Sequence, residues 1–299
     1  MEIDLIGVPI DFGAGRRGVD MGPSAIRYAG LQTGLNELGC TVFDKGNLEV
    51  PILETCEVTE PKLRYIDCIV PVARHVMGLT ATASKAGRIP LVLGGDHSLS
   101  IGSVRGAARN KKLGVLWIDA HADFNTHETT PSGNIHGMSL AALCGYGDGR
   151  LVGLGDDDPQ ATIDPHNVAI IGARDLDPGE VELLKEAGVH VFPIEHVDRI
   201  GLADTMRQAL EITTTGTDGL YLSFDLDALD PMHAPGVGTP VSGGMSYREA
   251  HLACEMIAES GALIGLEFME VNPILDIANR TAELAAELAF SALGKRVWG

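Results

Sequence analysis

Basic residues are scarce in this chain. Across 299 residues, 22 lysines and arginines stand against 41 aspartates and glutamates, a formal net charge of −19. Such a surface repels nucleic acid and anionic membrane and attracts small cationic molecules, so neither polyanion is an expected partner. Cysteine is sparse too: Cys40, Cys56, Cys68, Cys144 and Cys254 are odd in number, widely spaced and without a C-x-x-C. That usage predicts reduced, mostly buried thiols in a cytoplasmic protein. Long apolar runs are missing, none approaching the ~18–20 residues that span a bilayer. Met1-Glu2-Ile3-Asp4 lacks the basic region and apolar core of a signal peptide. There is no Ser- or Pro-rich linker and no internal repeat, which predicts a single domain over residues 1–299.

What the chain does have is apolar material in quantity, 45% hydrophobic against 21% charged residues. Strand-like apolar runs alternate with segments of helical period, the pattern of an α/β fold with a largely parallel sheet and helices on both faces. Strands are predicted near 2–10, 40–48, 89–94, 113–119, 167–173, 189–195, 219–226 and 262–270. Helices are predicted near 23–38, 62–86, 98–109, 138–145, 178–187, 201–214, 246–260 and 279–294. Start signals stand at Gly22-Pro23-Ser24, Asp177-Pro178-Gly179-Glu180 and Ser246-x-x-Glu249, and Gly188 and Gly261 mark helix ends. Residues 49–61, 123–137 and 149–166 read as irregular. The run Asp156-Asp157-Asp158 in the last of these reads as a solvated loop.

The run Leu116-Trp117-Ile118-Asp119-Ala120-His121-Ala122-Asp123 begins as a doubly buried strand and ends in three potential metal ligands at alternate positions. Residues i, i+2 and i+4 of an extended chain leave the same face, so Asp119, His121 and Asp123 can converge just past the strand end. Left unpaired there, these polar groups would each cost several kcal/mol, roughly 2–7 even for a neutral one. A second cluster, Asp225-Leu226-Asp227, follows the apolar run Gly219–Leu222, and His97 follows Ile89–Leu93 through Gly94-Gly95-Asp96. Two imidazoles and four carboxylates are too many for one tetrahedral zinc and suit a pair of divalent ions bridged by carboxylates. Oxygen-rich ligation favours Mn²⁺, with zinc and cobalt as competitors. Two such ions about 3.5–4 Å apart can share and acidify a water and aim it at an electrophilic carbon. Glu270 is delivered to the same rim by Leu263–Met269, and residues 123–137 form a loop long enough to be functional. A competing signal is Gly13-Ala14-Gly15-Arg16-Arg17-Gly18, which has the spacing of a dinucleotide fingerprint. Met21-Gly22-Pro23 separates it from the helix whose start should receive the pyrophosphate, so a surface loop is the favoured reading and an NAD-dependent oxidoreductase the alternative class.

Five ordered blocks make the chain recognisable: Gly-Gly-Asp-His at 94–97, Asp-Ala-His-Ala-Asp at 119–123, Ser-Gly-Asn-Ile-His-Gly at 132–137, Ser-Phe-Asp-Leu-Asp-Ala-Leu-Asp-Pro at 223–231 and Met-Glu-Val-Asn-Pro at 269–273. Together with residues 18–23 and 234–240, they resemble the ureohydrolase family, and within it the arginases, from about residue 5 to 292. The resemblance is weak over 45–88. It implies a three-layer α/β/α fold, two Mn²⁺ per subunit, a homo-oligomer (trimer or hexamer), and hydrolysis of L-arginine to L-ornithine and urea. By this resemblance one ion takes His97, Asp119, Asp123 and Asp225, and the other takes His121, Asp119, Asp225 and Asp227. A bridging hydroxide, held by Asp123, attacks the guanidinium carbon. Glu270 pairs with the guanidinium and His136 moves protons.

Substrate choice must be read away from the metals. An α-carboxylate needs donors, and Asn125, Thr130, Ser132 and Asn134 supply neutral ones. This loop resembles that of the arginases. Asp177 is both a candidate helix N-cap and a partner for an α-ammonium. Ser139 stands where the family pattern leads one to expect proline, which leaves room for another ureohydrolase, an agmatinase or guanidino-acid hydrolase, as the alternative.

Overall fold

The computed structural model describes residues 1–154 and 162–298; Asp156–Asp158 lie outside the described residues. Among the described residues eight strands form one sheet: β1 (Glu2–Val8), β2 (Thr41–Asn47), β3 (Ile89–Gly94), β4 (Leu113–Ile118), β5 (Val168–Ile171), β6 (His190–Phe192), β7 (Gly219–Asp225) and β8 (Leu263–Met269). Their order is β2-β1-β3-β8-β7-β4-β5-β6, and every pairing is parallel. Eleven α-helices among the described residues connect them: α1 (Gly22–Tyr28), α2 (Leu31–Glu37), α3 (Ile66–Lys85), α4 (Ser100–Ala107), α5 (Ser139–Leu143), α6 (Gly149–Gly153), α7 (Pro178–Ala187), α8 (Ile194–Ile200), α9 (Leu202–Thr214), α10 (Tyr247–Ser260) and α11 (Arg280–Ala292).

Parallel strands need crossovers, and crossovers place helices on both faces, which is why the central strands are apolar without alternation. Ile3, Leu5, Leu91, Leu93, Leu116, Ile118, Leu220, Leu222 and Leu266 pack one face against α1, α2, α9, α10 and α11. The opposite face is divided. Ile6, Val8 and Val92 pack with α3, while Val115, Trp117, Val168 and Ile170 pack with α5 and α7. Helix ends follow the local signals. Ser246 and Glu249 close a capping box at α10, and Gly188 and Gly261 end α7 and α10 at φ 76° and 65°, where glycine carries no Cβ penalty.

All eight predicted strands are present. The predicted helix 23–38 is two helices, broken at Gly30 with φ 84°. Helices α6 and α8 went unpredicted, the first lying in a stretch read as irregular and the second at the end of one read as strand. The expectation that every cysteine is reduced is corrected: Cys56 and Cys68 form a disulfide with Cα atoms 6.6 Å apart. The stretch before α3 folds back on that helix's first turn, a proximity that spacing along the chain does not disclose. Cys40, Cys144 and Cys254 are free and buried, as expected. Among the described residues no helix is long and apolar enough to cross a membrane.

Candidate metal centre and cleft

The four strands that end in candidate ligands, β3, β8, β7 and β4, are consecutive neighbours in the sheet. Being parallel, they finish at one edge, where open α/β sheets bind ligands. His97 follows β3 in a short 3-10 turn whose cap is Asp96, with Asp96 Oδ1 accepting from Ser98 N at 2.9 Å. Asp119 follows β4, Asp225 ends β7, and Asp227 sits in the turn after it.

The side chains converge as two groups. Nδ1 of His97 lies 3.1 Å from Asp225 Oδ2, 3.2 Å from Asp123 Oδ2 and 3.4 Å from Asp119 Oδ2. Nδ1 of His121 lies 3.1 Å from Asp227 Oδ2 and 3.4 Å from Asp119 Oδ1. Asp119 thus turns one oxygen to each imidazole, the arrangement of a carboxylate bridging two ions. His97, Asp119 and Asp225 are spaced to hold one ion, and Asp119, His121 and Asp227 another. All but His121 are buried.

Electrostatics fit cations here. Burial pushes the Asp123, Asp225 and Asp227 carboxyls up, and the neighbouring carboxylates push them further: Asp119 acts on Asp123 and Asp227, Asp227 on Asp225. Burial would raise Asp119 as well, but hydrogen bonds from His121 and His97 hold it well below the usual range. Burial opposes charge on both imidazoles. Asp119 and Asp225 nevertheless raise His97, and Asp227 and Asp119 raise His121. Protons shared among the six groups therefore offset their mutual repulsion, a task for which divalent ions are better suited. The donor set fits a metal pair.

Glu270 directly follows β8, at the sheet edge where the sequence placed it. It is buried beneath the cleft, its Oε1 accepting from His97 N at 3.0 Å and lying 2.9 Å from His136 Nδ1. Gly238 lies beside Glu270 Oε2, where a Cβ would make an ordinary contact at 3.7 Å. Asp123 and Glu270 both hold left-handed backbone, φ 50° and 64°, uncommon for residues with a Cβ and frequent at functional sites.

Above the ligands, His121, Asp123, Asn125, Thr130, Ser132, Asn134, His136 and Asp177 line a single cleft, so the predicted contact residues are brought together. Thr130 Oγ1 accepts from Gly133 N at 3.0 Å, and Ser132 Oγ accepts from Asn134 N at 3.2 Å. Asp177 is the N-cap of α7, and its Oδ2 accepts from Asn125 Nδ2 at 2.9 Å. The cap reading of Asp177 holds, and the residue also faces the cleft. Ser139 begins α5, a first helical position that tolerates serine or proline alike. Its hydroxyl is 2.8 Å from the His97 carbonyl and 3.0 Å from that of His136, within reach of both histidine segments.

Several contributors were not singled out by sequence. Trp117 donates from Nε1 to Asp119 Oδ2 at 3.0 Å and stacks on His97, centroids 4.2 Å apart. Thr239 donates to Asp227 Oδ2 at 3.0 Å. Glu180 accepts from Phe124 N at 2.7 Å, anchoring the turn after Asp123. The Gly13–Gly18 loop is only partly a surface loop: Gly13 is buried, donates from N to Asp96 Oδ2 at 2.8 Å, and accepts from His136 N at 3.1 Å. Residues 57–65 brace the cleft loop, with Lys62 Nζ donating to Thr130 O at 2.6 Å and Arg64 N to Gly133 O at 3.0 Å. Gly13–Gly18 and Glu180 had sequence signals, a glycine spacing and a helix start, each read for a different use.

Comparison with known proteins agrees with this geometry. Residues 1–294 match the model of the arginase family. An arginase of Brevibacillus brevis is 49% identical over 297 residues, covering 99% of each chain. The crystal structure of arginase from Bacillus caldovelox superposes with a TM-score of 0.95 at 45% identity, covering 99% of each chain. That from Bacillus cereus gives 0.93 at 48%, covering 99% of this chain and 100% of the other. With its sheet edge, its paired His/Asp groups and this similarity over nearly its whole length, the chain belongs to the arginase family, hydrolases acting on the guanidinium group.

Proposed function

We propose that the protein hydrolyses L-arginine to L-ornithine and urea with two manganese ions per subunit. The observation that carries this reading is Asp119, whose two oxygens face two imidazoles in two overlapping ligand groups. His97, Asp119, Asp123 and Asp225 would hold one ion, and His121, Asp119, Asp225 and Asp227 the other. When bound, such a pair supplies a water acidified toward neutrality for attack on the guanidinium carbon.

The chain's own residues do the rest. Glu270 turns its negative charge toward the planar guanidinium and orients the carbon over the nucleophile. Asp123 holds the nucleophile by a hydrogen bond through its carboxylate. His136, linked to Glu270, stands at the cleft to deliver a proton to the leaving nitrogen. Asn125, Thr130, Ser132 and Asn134 offer donors to the α-carboxylate, and Asp177 an acceptor to the α-ammonium. Agmatine lacks the carboxylate and would leave those donors unpaired, a penalty that discriminates strongly. A trimeric or hexameric assembly in the cytoplasm belongs to the same reading.

The test is a urea assay over arginine, agmatine and guanidinobutyrate, with manganese-loaded and chelated protein. Fast release from arginine alone, abolished by chelation, is expected. A preference for agmatine would transfer the assignment to the agmatinases.

A further inference from the structure

Glu267 is a buried carboxylate that the proposed chemistry does not use. It is fully buried mid-strand on β8, between the two apolar clusters that divide its face of the sheet. A charge in such a place must be hydrogen-bonded. Four hydroxyls serve it: Ser100 at 2.6 Å and Ser223 at 2.7 Å donate to Oε1, and Tyr221 at 3.0 Å and Ser103 donate to Oε2. Ser100 and Ser103 come from the first turn of α4. Tyr221 reaches across β8 because its neighbour there is Gly265, where a Cβ would come within 2.6 Å of the ring. Burial and the Glu267 charge push the Tyr221 hydroxyl well above its ordinary range, so it stays a donor. All four donors are neutral. They satisfy the oxygens without cancelling the charge.

Ser223 makes the connection to the site. It pairs with Glu267 across the β7–β8 ladder, and its Oγ is 2.8 Å from His97 Nε2. A serine hydroxyl carries one proton. With that proton donated to Glu267, the oxygen must accept, and the proton it accepts belongs to His97 Nε2. The neutral imidazole is thereby left with its lone pair on Nδ1, the atom 3.1–3.4 Å from Asp225, Asp123 and Asp119. We propose that Glu267, acting through Ser223, is a positioning residue that sets the His97 tautomer and strengthens that imidazole as a donor to a cation. The proposal rests on the metal reading above. Among the described residues His121 has no comparable hydroxyl partner, its Nε2 lying 4.0 Å from the exposed Asp175.

The effect is therefore specific to one of two ions. Outer partners of metal-ligating histidines are worth about 10- to 100-fold in affinity. Titration of metal-free protein with Mn²⁺ by calorimetry is expected to show two ions in the wild type. In Glu267→Gln one binding step should weaken by about 10- to 100-fold while the other stays within about 3-fold. Ser223→Ala, which cuts the link and leaves Glu267 three donors, should reproduce the selective loss and serves if Glu267→Gln does not fold. Tyr221→Phe removes a donor without touching the link, so it should lower the melting temperature and leave both affinities within about 3-fold. Equal weakening of both ions in Glu267→Gln, or a loss in Tyr221→Phe as large as in Glu267→Gln, would overturn the proposal. Unchanged affinities in Glu267→Gln and Ser223→Ala beside a wild type that binds two ions would overturn it alone. A wild type that takes up no manganese would sink the metal reading first.

Discussion

Asp123 has two demands placed on it, a left-handed backbone at φ 50° and a carboxylate aimed at the ligand cluster. Asparagine tolerates that backbone and resembles the protonated acid that burial and Asp119 favour in the metal-free protein. Asp123→Asn is therefore expected to leave the metal-free melting temperature nearly unchanged while lowering metal occupancy and rate, the rate on the order of 100-fold. Metal analysis beside a urea assay checks it; full occupancy would remove Asp123 from the ligand set. His136 makes a different prediction. Burial lowers it, but the hydrogen bond it donates to Glu270, together with the charges of Glu270, Asp123 and Asp96, raises it from 6.5 to about 9 in the metal-free protein. A folded value above the unfolded one stabilises fully below pH 6.5 and is lost as pH rises through about 9. The stability difference between wild type and His136→Asn, measured by urea unfolding of metal-free protein, should shrink over that window. A difference that grows with pH would contradict the pairing.

At the scale of elements, the part of the chain that matched no family block has a clear mechanical place. Residues 57–65 lie within the loop closed by the Cys56–Cys68 disulfide and run along the cleft loop, where Gly133 packs on the Pro61 carbonyl so closely that any Cβ would clash. Lys62 adds a positive charge beside Thr130, the loop's carboxylate-facing threonine in the proposed reading. Lys62→Met is expected to raise KM for arginine by about 5-fold, the worth of one hydrogen bond, with little change in kcat. Agmatine, having no carboxylate to lose, should be affected less. An equal loss for both substrates would show that Lys62 only shapes the loop.

For the whole molecule, the dominant electrostatic fact is a concentration of carboxylates at one sheet edge in an already acidic protein. Ions that bind the folded state alone add stability by mass action, about 4 kcal/mol per site at a free concentration roughly a thousand times Kd. Chelation is expected to lower the melting temperature by several degrees, with recovery on adding Mn²⁺; scanning calorimetry decides it, and an unmoved transition would argue against ions in this cluster.

The strands, the helix caps and the shared face of Asp119, His121 and Asp123 were legible because each depends on residues near one another in sequence. Doubly buried strands read as unbroken apolar runs, and Asp119, His121 and Asp123 share a face by the geometry of extended chain. Only the fold decided which strands are neighbours, since β3, β8, β7 and β4 are far apart along the chain. The same holds for Glu270 beneath His136, Trp117 against His97, Glu267 behind Ser223, and Cys56 beside Cys68. These are contacts between distant segments, and each side chain alone reads as an ordinary core or surface residue until packing brings its partner within hydrogen-bonding or bonding reach.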